Sequence, residues 1–377
     1  MLTRILTDRI KARLFQGKTI ILYGARQTGK TTLVKSIMQE YVDEARYLNC
    51  EILSVEQNLR EAEPDKLKSY LGGRRLVVLD EAQHIPDIGK ILKLMTDEMP
   101  ETQILATGSS SLNLRYMTAE PMTGRTIEYL LYPLSILEIR QQGDWFAADA
   151  QLERLLRLGS YPEIYLSTDE FAKERLDQLA SSYLYRDLLR YEGIKKSSVL
   201  NDLLISLALQ VGSEVSYHEL AVKLGINRLT VQKYIDLLEQ SYVIFRLRAF
   251  SRNLRKELTK SVKIYFYDTG IRNALLQNYN LLELRQDSGA LWKNYCIAER
   301  MKANSFAGRK VNSYFWRTYD QKEVDYIEEA DGKLTGYEFK YSPDAKIKSA
   351  ADFKETYNAD VHRVDRKNLW KFAELRI

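Results

Sequence analysis

The chain has 377 residues, 45% of them hydrophobic and 28% charged. Such a composition supports about two or three packed domains and excludes disordered, collagen-like and disulfide-rich classes. The formal charge of +5 is uneven, with 21 basic against 21 acidic side chains in residues 1–160 and 35 against 30 in residues 161–377, so any nucleic-acid argument must rest on local patches.

No run approaches the ~18 uncharged apolar residues of a membrane span, and Met1 to Asp8 lacks a signal-peptide core, so a cytoplasmic location without a membrane partner is expected. Cys50 and Cys296 lie far apart with no C-x-x-C pattern and read as buried reduced thiols. The histidines, His84, His218 and His362, are equally scattered, which argues against zinc.

Residues 3–15 read as a short amphipathic helix carrying Ile5, Leu6, Ile10 and Leu14. An apolar run, Thr19 to Tyr23, then leads into Gly24-Ala25-Arg26-Gln27-Thr28-Gly29-Lys30-Thr31, a G-x-x-x-x-G-K-T phosphate loop, and into a helical pattern from Thr31-Thr32-Leu33. Strand before and helix after are what the chemistry needs, because free backbone N–H groups and the helix dipole stabilise phosphate charge. On this reading residues Gly24 to Thr32 bind a nucleotide's phosphates, Lys30 reaches the β- and γ-phosphates, and the Thr31 hydroxyl holds Mg²⁺.

Arg46 to Cys50 is a short strand, and Ser54 to Tyr70 is helical and interrupted by Pro64. Leu76-Val77-Val78-Leu79-Asp80-Glu81 follows, apolar on both faces and ending in two carboxylates. At the C-terminal end of a parallel strand Asp80 can hold Mg²⁺ and Glu81 can polarise the attacking water. A third apolar strand, Gln103 to Thr107, leads into Gly108-Ser109, where Thr107 or Ser109 can position that water. Arg125 is a candidate arginine finger, in its own subunit or in a neighbour, since a guanidinium stabilises charge spread over phosphoryl oxygens.

Gly24 to Thr31, Leu79-Asp80-Glu81-Ala82-Gln83, Thr107-Gly108-Ser109-Ser110 and Gly124-Arg125, followed by Tyr132-Pro133-Leu134-Ser135, resemble a prokaryotic family of AAA-type ATPases. Gly159-Ser160-Tyr161-Pro162-Glu163 also fits. The resemblance implies an α/β fold: a doubly wound, parallel-sheet ATPase domain (1–160), a helical linker (161–200), a winged helix (201–267) and a restriction-endonuclease-like domain (268–377). It also implies ATP rather than GTP, in keeping with the lack of an N-K-x-D guanine motif.

Glu170 to Tyr191 reads as one long helix with Leu176, Leu179, Tyr183 and Leu184 on its apolar face. Between 201 and 267 the rhythm is that of a helix-turn-helix: Tyr217 to Leu224, a turn at Gly225, then Arg228 to Gln240 capped by Asn227. Val231, Ile235 and Leu238 form the buried stripe, leaving Arg228, Gln232, Lys233 and Asp236 outward, where a DNA-binding version reads the major groove. The next segment carries Arg246, Arg248, Arg252, Arg255, Lys256, Lys260 and Lys263 against Glu257 alone, a wing able to contact phosphates.

The last block is a helix, Ser288 to Lys302, followed by strand-like runs at 313–316, 323–327 and 335–340. Asp325 with Glu338-Phe339-Lys340 matches the D…E-x-K core of restriction-type nucleases, where two carboxylates share a Mg²⁺ and a lysine orients water. Lys293 stands where many members of the family carry Glu, and a lysine beside such ligands opposes cation binding. Glu299, six positions on and about 240° round the helix, is a poor substitute.

The expected function is Mg²⁺-dependent ATP binding and hydrolysis coupled to a C-terminal module acting on DNA. The alternative is an ATP-gated signalling or assembly switch whose nuclease-like domain is inactive and binds protein partners. Oligomers suit either reading.

Overall fold

A computed structural model describes every residue except 1, 61–62, 109–121, 142, 144, 190–196, 252–261, 319–321, 345–349 and 377, and only the backbone at 182–189, 197 and 350. The described chain forms two compact units, residues 1–133 with 240–242, and residues 134–239 with 243–377. None of its described helices is long and apolar enough to cross a membrane.

The first unit starts with α1 (Ile5–Lys11) and β1 (Thr19–Tyr23), and α2 (Lys30–Met38) begins directly after the phosphate loop. Then come β2 (Ala45–Asn49), α3 (Leu53–Arg60) and α4 (Pro64–Leu71). Pro64 does not merely interrupt a helix: its fixed φ and missing N–H suit the first position of α4, which ends on the left-handed Gly72. β3 (Leu76–Asp80), α5 (Ile88–Glu98), β4 (Gln103–Gly108) and β5 (Thr126–Leu130) complete the unit.

The strands form one parallel sheet in the order β2-β3-β4-β1-β5. β1, β3 and β4 are buried along their whole length, as parallel strands covered on both faces must be. Ile21, Val77, Leu79, Ile104 and Ala106 pack with Ile88, Leu92 and Met95 of α5. Because β4 lies between β1 and β3, its C-terminal end emerges between the phosphate loop and Asp80.

The second unit opens with helices α6 (Ile136–Arg140), α7 (Trp145–Ala150), α8 (Leu152–Leu158), α9 (Pro162–Leu166) and α10 (Asp169–Leu189). Leu176 and Leu179 are buried on α10 as expected, and the side chains of Tyr183 and Leu184 lie outside the described residues. Next are α11 (Ser197–Leu209), β6 (Glu214–Val215), α12 (Tyr217–Leu224), α13 (Arg228–Gln240), β7 (Ile244–Ala249) and β8 (Val262–Phe266). The chain ends with α14 (Thr269–Leu275), α15 (Ser288–Ala307), β9 (Asn312–Arg317), β10 (Glu323–Ala330), β11 (Lys333–Phe339), α16 (Ala350–Tyr357), β12 (Val361–Val364) and α17 (Leu369–Ala373).

A single mixed sheet, β12-β11-β10-β9-β7-β8-β6, runs through this unit. The parallel pairing of Arg248 with Tyr314 and Ala249 with Phe315 joins residues 201–267 and 268–377 in that sheet. Residues 134–160, which the sequence groups with the ATPase, pack here too. The Ile136 N–H donates to Glu299 Oε2 at 2.7 Å, and Lys302 Nζ donates to Glu299 Oε1 at 2.7 Å and to the Leu134 carbonyl at 2.9 Å. Asp268 takes the Ser160 N–H at 2.7 Å, and a Cβ on Gly159 (φ +76°) would meet its Oδ1 at 2.0 Å. Only glycine fits that approach, which gives Gly159-Ser160 a packing role.

Candidate functional site

The phosphate loop is held by its own chain. Gly24 leaves β1 against β5, where a Cβ would lie 2.4 Å from the Leu131 carbonyl oxygen. Gly29 caps α2 in the left-handed region at φ +95°. Thr28 Oγ1 donates to the Ala25 carbonyl at 2.8 Å, and Lys30 Nζ, buried, donates to the carbonyls of Gly24 and Ala25, each at 2.9 Å. Around these Arg26 is half-buried, while Gln27 (φ +57°) and Thr32 are exposed.

Asp80 is the hub of the polar group. Thr31 Oγ1 donates to its Oδ2 at 2.8 Å, the Tyr47 hydroxyl donates to the same oxygen at 2.5 Å, and Thr107 Oγ1 donates to Oδ1. Thr107 Oγ1 also accepts the Glu81 N–H at 3.0 Å. Lys30, Thr31, Asp80, Glu81 and Thr107 therefore occupy one C-terminal sheet edge. Ser109, also proposed to position the lytic water, lies outside the described residues. Glu81 adopts a left-handed backbone (φ +55°), which turns its side chain off the strand, and its carboxylate takes Gln83 Nε2 at 2.5 Å.

Burial and then the Asp80 bond push the Tyr47 hydroxyl well above its ordinary pKa. The Cys50 thiol is pushed up to about 12 by burial and by the charges of Asp80 and Glu81. Cys50 and Cys296 are both free and buried, so the reduced-thiol reading fits the fold.

Two contributors were invisible in the sequence. Arg4, buried just before α1, donates from Nη1 to the Thr28 carbonyl at 2.7 Å and from Nη2 to the Tyr132 carbonyl at 2.6 Å. Tyr47 is the other, and no spacing rule ties either to the loop.

Arg125 is not brought to this group. It precedes β5, whose Thr126 pairs with Thr19 at the start of β1, while the phosphate loop follows Tyr23 at the other end. Five residues of strand, about 17 Å, separate the two edges, and Arg125 Nε is paired with Asp97 at 2.7 Å. The cis arginine-finger expectation is corrected accordingly. Assayed at a dilution that keeps the chain monomeric, Arg125→Ala should hydrolyse ATP at the wild-type rate, and a severe loss there would return the residue to its own site, whereas a loss confined to assemblies would assign it to a neighbour's site.

In the second unit α13 fits its expected faces: Val231, Ile235 and Leu238 are fully buried, and Arg228, Gln232 and Lys233 are exposed. Asn227 Oδ1 accepts the Thr230 N–H at 2.7 Å and caps the helix. Asp236 is paired with Arg246 at 2.6 Å. Of the described basic residues in the stretch 246–263, two have acidic partners. Arg246 is also bound by Glu239, and Lys263 is buried and bound by Glu323 at 2.5 Å. Arg248 is exposed, and Arg252, Arg255, Lys256 and Lys260 lie outside the described residues.

Asp325, Glu338 and Lys340 do come together, since the register that pairs Tyr326 with Tyr337 sets Asp325 across from Glu338. Asp325 Oδ2 accepts the Phe339 N–H at 3.0 Å, and Lys340 Nζ lies 3.7 Å from Glu338. Lys293 Nζ, however, is bonded directly to Asp325 Oδ1. Burial opposes the Lys293 charge, but Asp325, Glu323 and Glu338 outweigh it and raise its pKa, so the ammonium persists. The Lys293 ammonium thus sits on the Asp325 carboxylate, the contact through which a lysine opposes a cation at Asp325, Glu338 and Lys340. No group of His, Cys, Asp and Glu suited to a metal occurs among the described residues.

A buried strand, a glycine loop with its lysine, and a helix N-terminus beside a strand-end Asp define a P-loop nucleotide-binding domain, and residues 16–140 match the AAA domain family. Residues 149–281 and 288–373 match two domains of unknown function, DUF8612 and DUF4143. An uncharacterized protein of Mycobacterium tuberculosis is 31% identical over 337 residues, covering 88% of this chain and 72% of its own. The chain belongs to the same family as that protein. An uncharacterized protein of Methanocaldococcus jannaschii is 26% identical over 319 residues, 75% of this chain and 70% of its own. Among solved structures, the Thermotoga maritima RuvB Holliday junction branch migration motor aligns with 65% of this chain and 90% of its own at 15% identity and a TM-score of 0.31, too low to carry a functional argument.

Proposed function

We propose that the protein is a Mg²⁺-dependent ATP hydrolase whose nucleotide state controls a C-terminal DNA-contacting module. The observation that carries the ATPase half is the convergence of Lys30, Thr31, Asp80 and Thr107 on one sheet edge, with Thr31 Oγ1 2.8 Å from Asp80 Oδ2. The residues suit the groups they would hold. Thr31 and Asp80 offer the hard oxygen donors that Mg²⁺ prefers, and the Gly24 backbone leaves no room for a Cβ beside Leu131.

Mg²⁺ held by Thr31 and Asp80 would neutralise phosphate charge. The remaining work falls to the chain. N–H groups at the start of α2 receive phosphate oxygens, and Lys30 exchanges the Gly24 and Ala25 carbonyls for them. Thr107 fixes the Asp80 carboxylate and the Glu81 backbone together. Glu81 accepts the proton of the attacking water. Lys30→Ala should weaken nucleotide binding at least about tenfold in equilibrium dialysis and abolish hydrolysis. Wild-type turnover by that variant would sink the assignment.

DNA contact rests on the winged-helix reading of residues 201–267, with Arg228, Gln232 and Lys233 of α13 facing solvent. A second reading has a specific observation in its favour. Lys293 on Asp325 opposes the cation that cleavage needs, which suits an ATP-gated switch whose nuclease-like fold binds protein partners. Binding to duplex DNA that weakens with salt supports the first reading, whereas a change of assembly with nucleotide and without DNA supports the second.

A further inference from the structure

The second unit holds a pocket that neither the phosphate loop nor α13 uses. It has a volume of about 460 Å³, within the range of small-ligand sites. Its floor is apolar and buried: Ile136, Leu152 and Leu369. Trp145 of α7 and Trp370 of α17 line it with ring centroids 6.2 Å apart and planes tilted by 45°, and Phe146 stands at the rim, 85% exposed. Three aromatic rings are thus gathered from segments more than 200 residues apart in sequence.

The rim is cationic. Arg366 and Lys367 are both exposed lining residues, and Lys371 Nζ lies 5.3 Å from the Trp370 ring centre. The one acid of the lining, Asp149, is 3.5 Å from Arg366 across a pair in which both side chains are about half exposed. Such a pair is worth little in water and yields readily to a phosphate. Trp370 Nε1 is already committed to the Lys367 carbonyl at 3.1 Å, so the indole offers its face rather than its N–H.

We propose that this pocket takes an unpaired nucleobase of a single-stranded nucleic acid, stacked on Trp145 and Trp370, with its flanking phosphates on Arg366 and Lys367. Flat aromatic faces beside cations are how strands are bound without sequence preference: every base has a π-face and every nucleotide a phosphate. Part of this inference rests on the nucleic-acid reading of the C-terminal module, yet it uses none of the α13 residues.

The test needs neither nucleotide nor divalent cation. Of the four tryptophans, Trp292 and Trp316 are buried, so quenching of intrinsic fluorescence reports on Trp145 and Trp370. Titration of the full chain with oligo(dT) or oligo(U) of about ten nucleotides should quench it, more tightly at low salt than at high. Trp370→Ala should weaken strand binding, followed by anisotropy of a labelled oligonucleotide, by about tenfold. Lys367→Glu, at an exposed position where folding is not at risk, should weaken it and flatten its salt dependence. The proposal is overturned if no quenching occurs, if duplex of equal length or free dTMP quenches Trp145 and Trp370 as tightly as the strand, if an acidic aromatic peptide does so, or if both variants bind the strand like wild type. Failure of the α13 reading looks different: duplex binding is then absent while the single-strand quenching persists.

Discussion

Glu81→Gln should still bind ATP yet turn it over about 10²–10⁴-fold more slowly. Asp80 and Glu81 are adjacent in sequence but separated in role by the backbone. Asp80 ends β3 in regular geometry, buried, with both its oxygens accepting hydroxyl bonds from Thr31, Tyr47 and Thr107. Glu81 takes a left-handed φ of +55°, a conformation that costs a non-glycine residue free energy and is retained where it sets a side chain for function. Its backbone is tied to Thr107, and its carboxylate keeps a bond to Gln83 that an amide can replace in shape but not in basicity. The discriminating measurement is single-turnover hydrolysis alongside nucleotide binding. Slow chemistry with intact binding is the expected pair, whereas unchanged chemistry would remove Glu81 as the base.

The phosphate loop and the strand carboxylates were legible because the information is local. A loop that binds phosphate needs its glycines, lysine and threonine at fixed spacing, and buried parallel strands are apolar on both faces. The helix faces of α13 were legible for the same reason: Val231, Ile235 and Leu238 repeat at three and four. What the sequence hid depends on contacts between distant segments. Arg4 and Tyr47 reach the site only after the chain has folded back on itself. Arg246 and Lys263 were overread as free wing charges because composition counts charges without their partners. Arg246 and Lys263 are spent on Asp236, Glu239 and Glu323. Arg125 was overread by proximity in sequence to the β4 tip; β5 begins at the far edge of the sheet. Lys293 is the reverse case. Its charge warned against a metal before any contact was known, and the bond to Asp325 gives the reason.

Glu328→Ala should cost the second unit about 3–5 kcal/mol of stability. Glu328 faces Arg300 across a two-point pair at 2.9 and 2.8 Å, both side chains almost wholly buried, and Asn304 donates to the same carboxylate at 2.6 Å. Arg300 is further held by the Tyr337 hydroxyl at 2.7 Å and lies over the rings of Tyr337 and Phe372, at 5.0 and 4.6 Å, so it cannot follow a lost partner into water. The truncated protein therefore keeps a buried guanidinium without its carboxylate, which is the expensive half of a broken pair. Replacing both partners by apolar residues, Glu328→Leu with Arg300→Met, should recover most of the loss, because the desolvation cost goes with the charges. Burial raises the Glu328 pKa and the Arg300 pairing more than offsets it, leaving the carboxyl below its ordinary range in the folded state. A depressed carboxylate contributes its stability above the unfolded-state pKa and loses it as the pH falls through the folded one. Wild type should thus lose stability on acidification by more than Glu328→Ala does. Urea midpoints at neutral and acidic pH measure both effects, and a single variant that unfolds at the wild-type midpoint at neutral pH would show that the pair contributes nothing net.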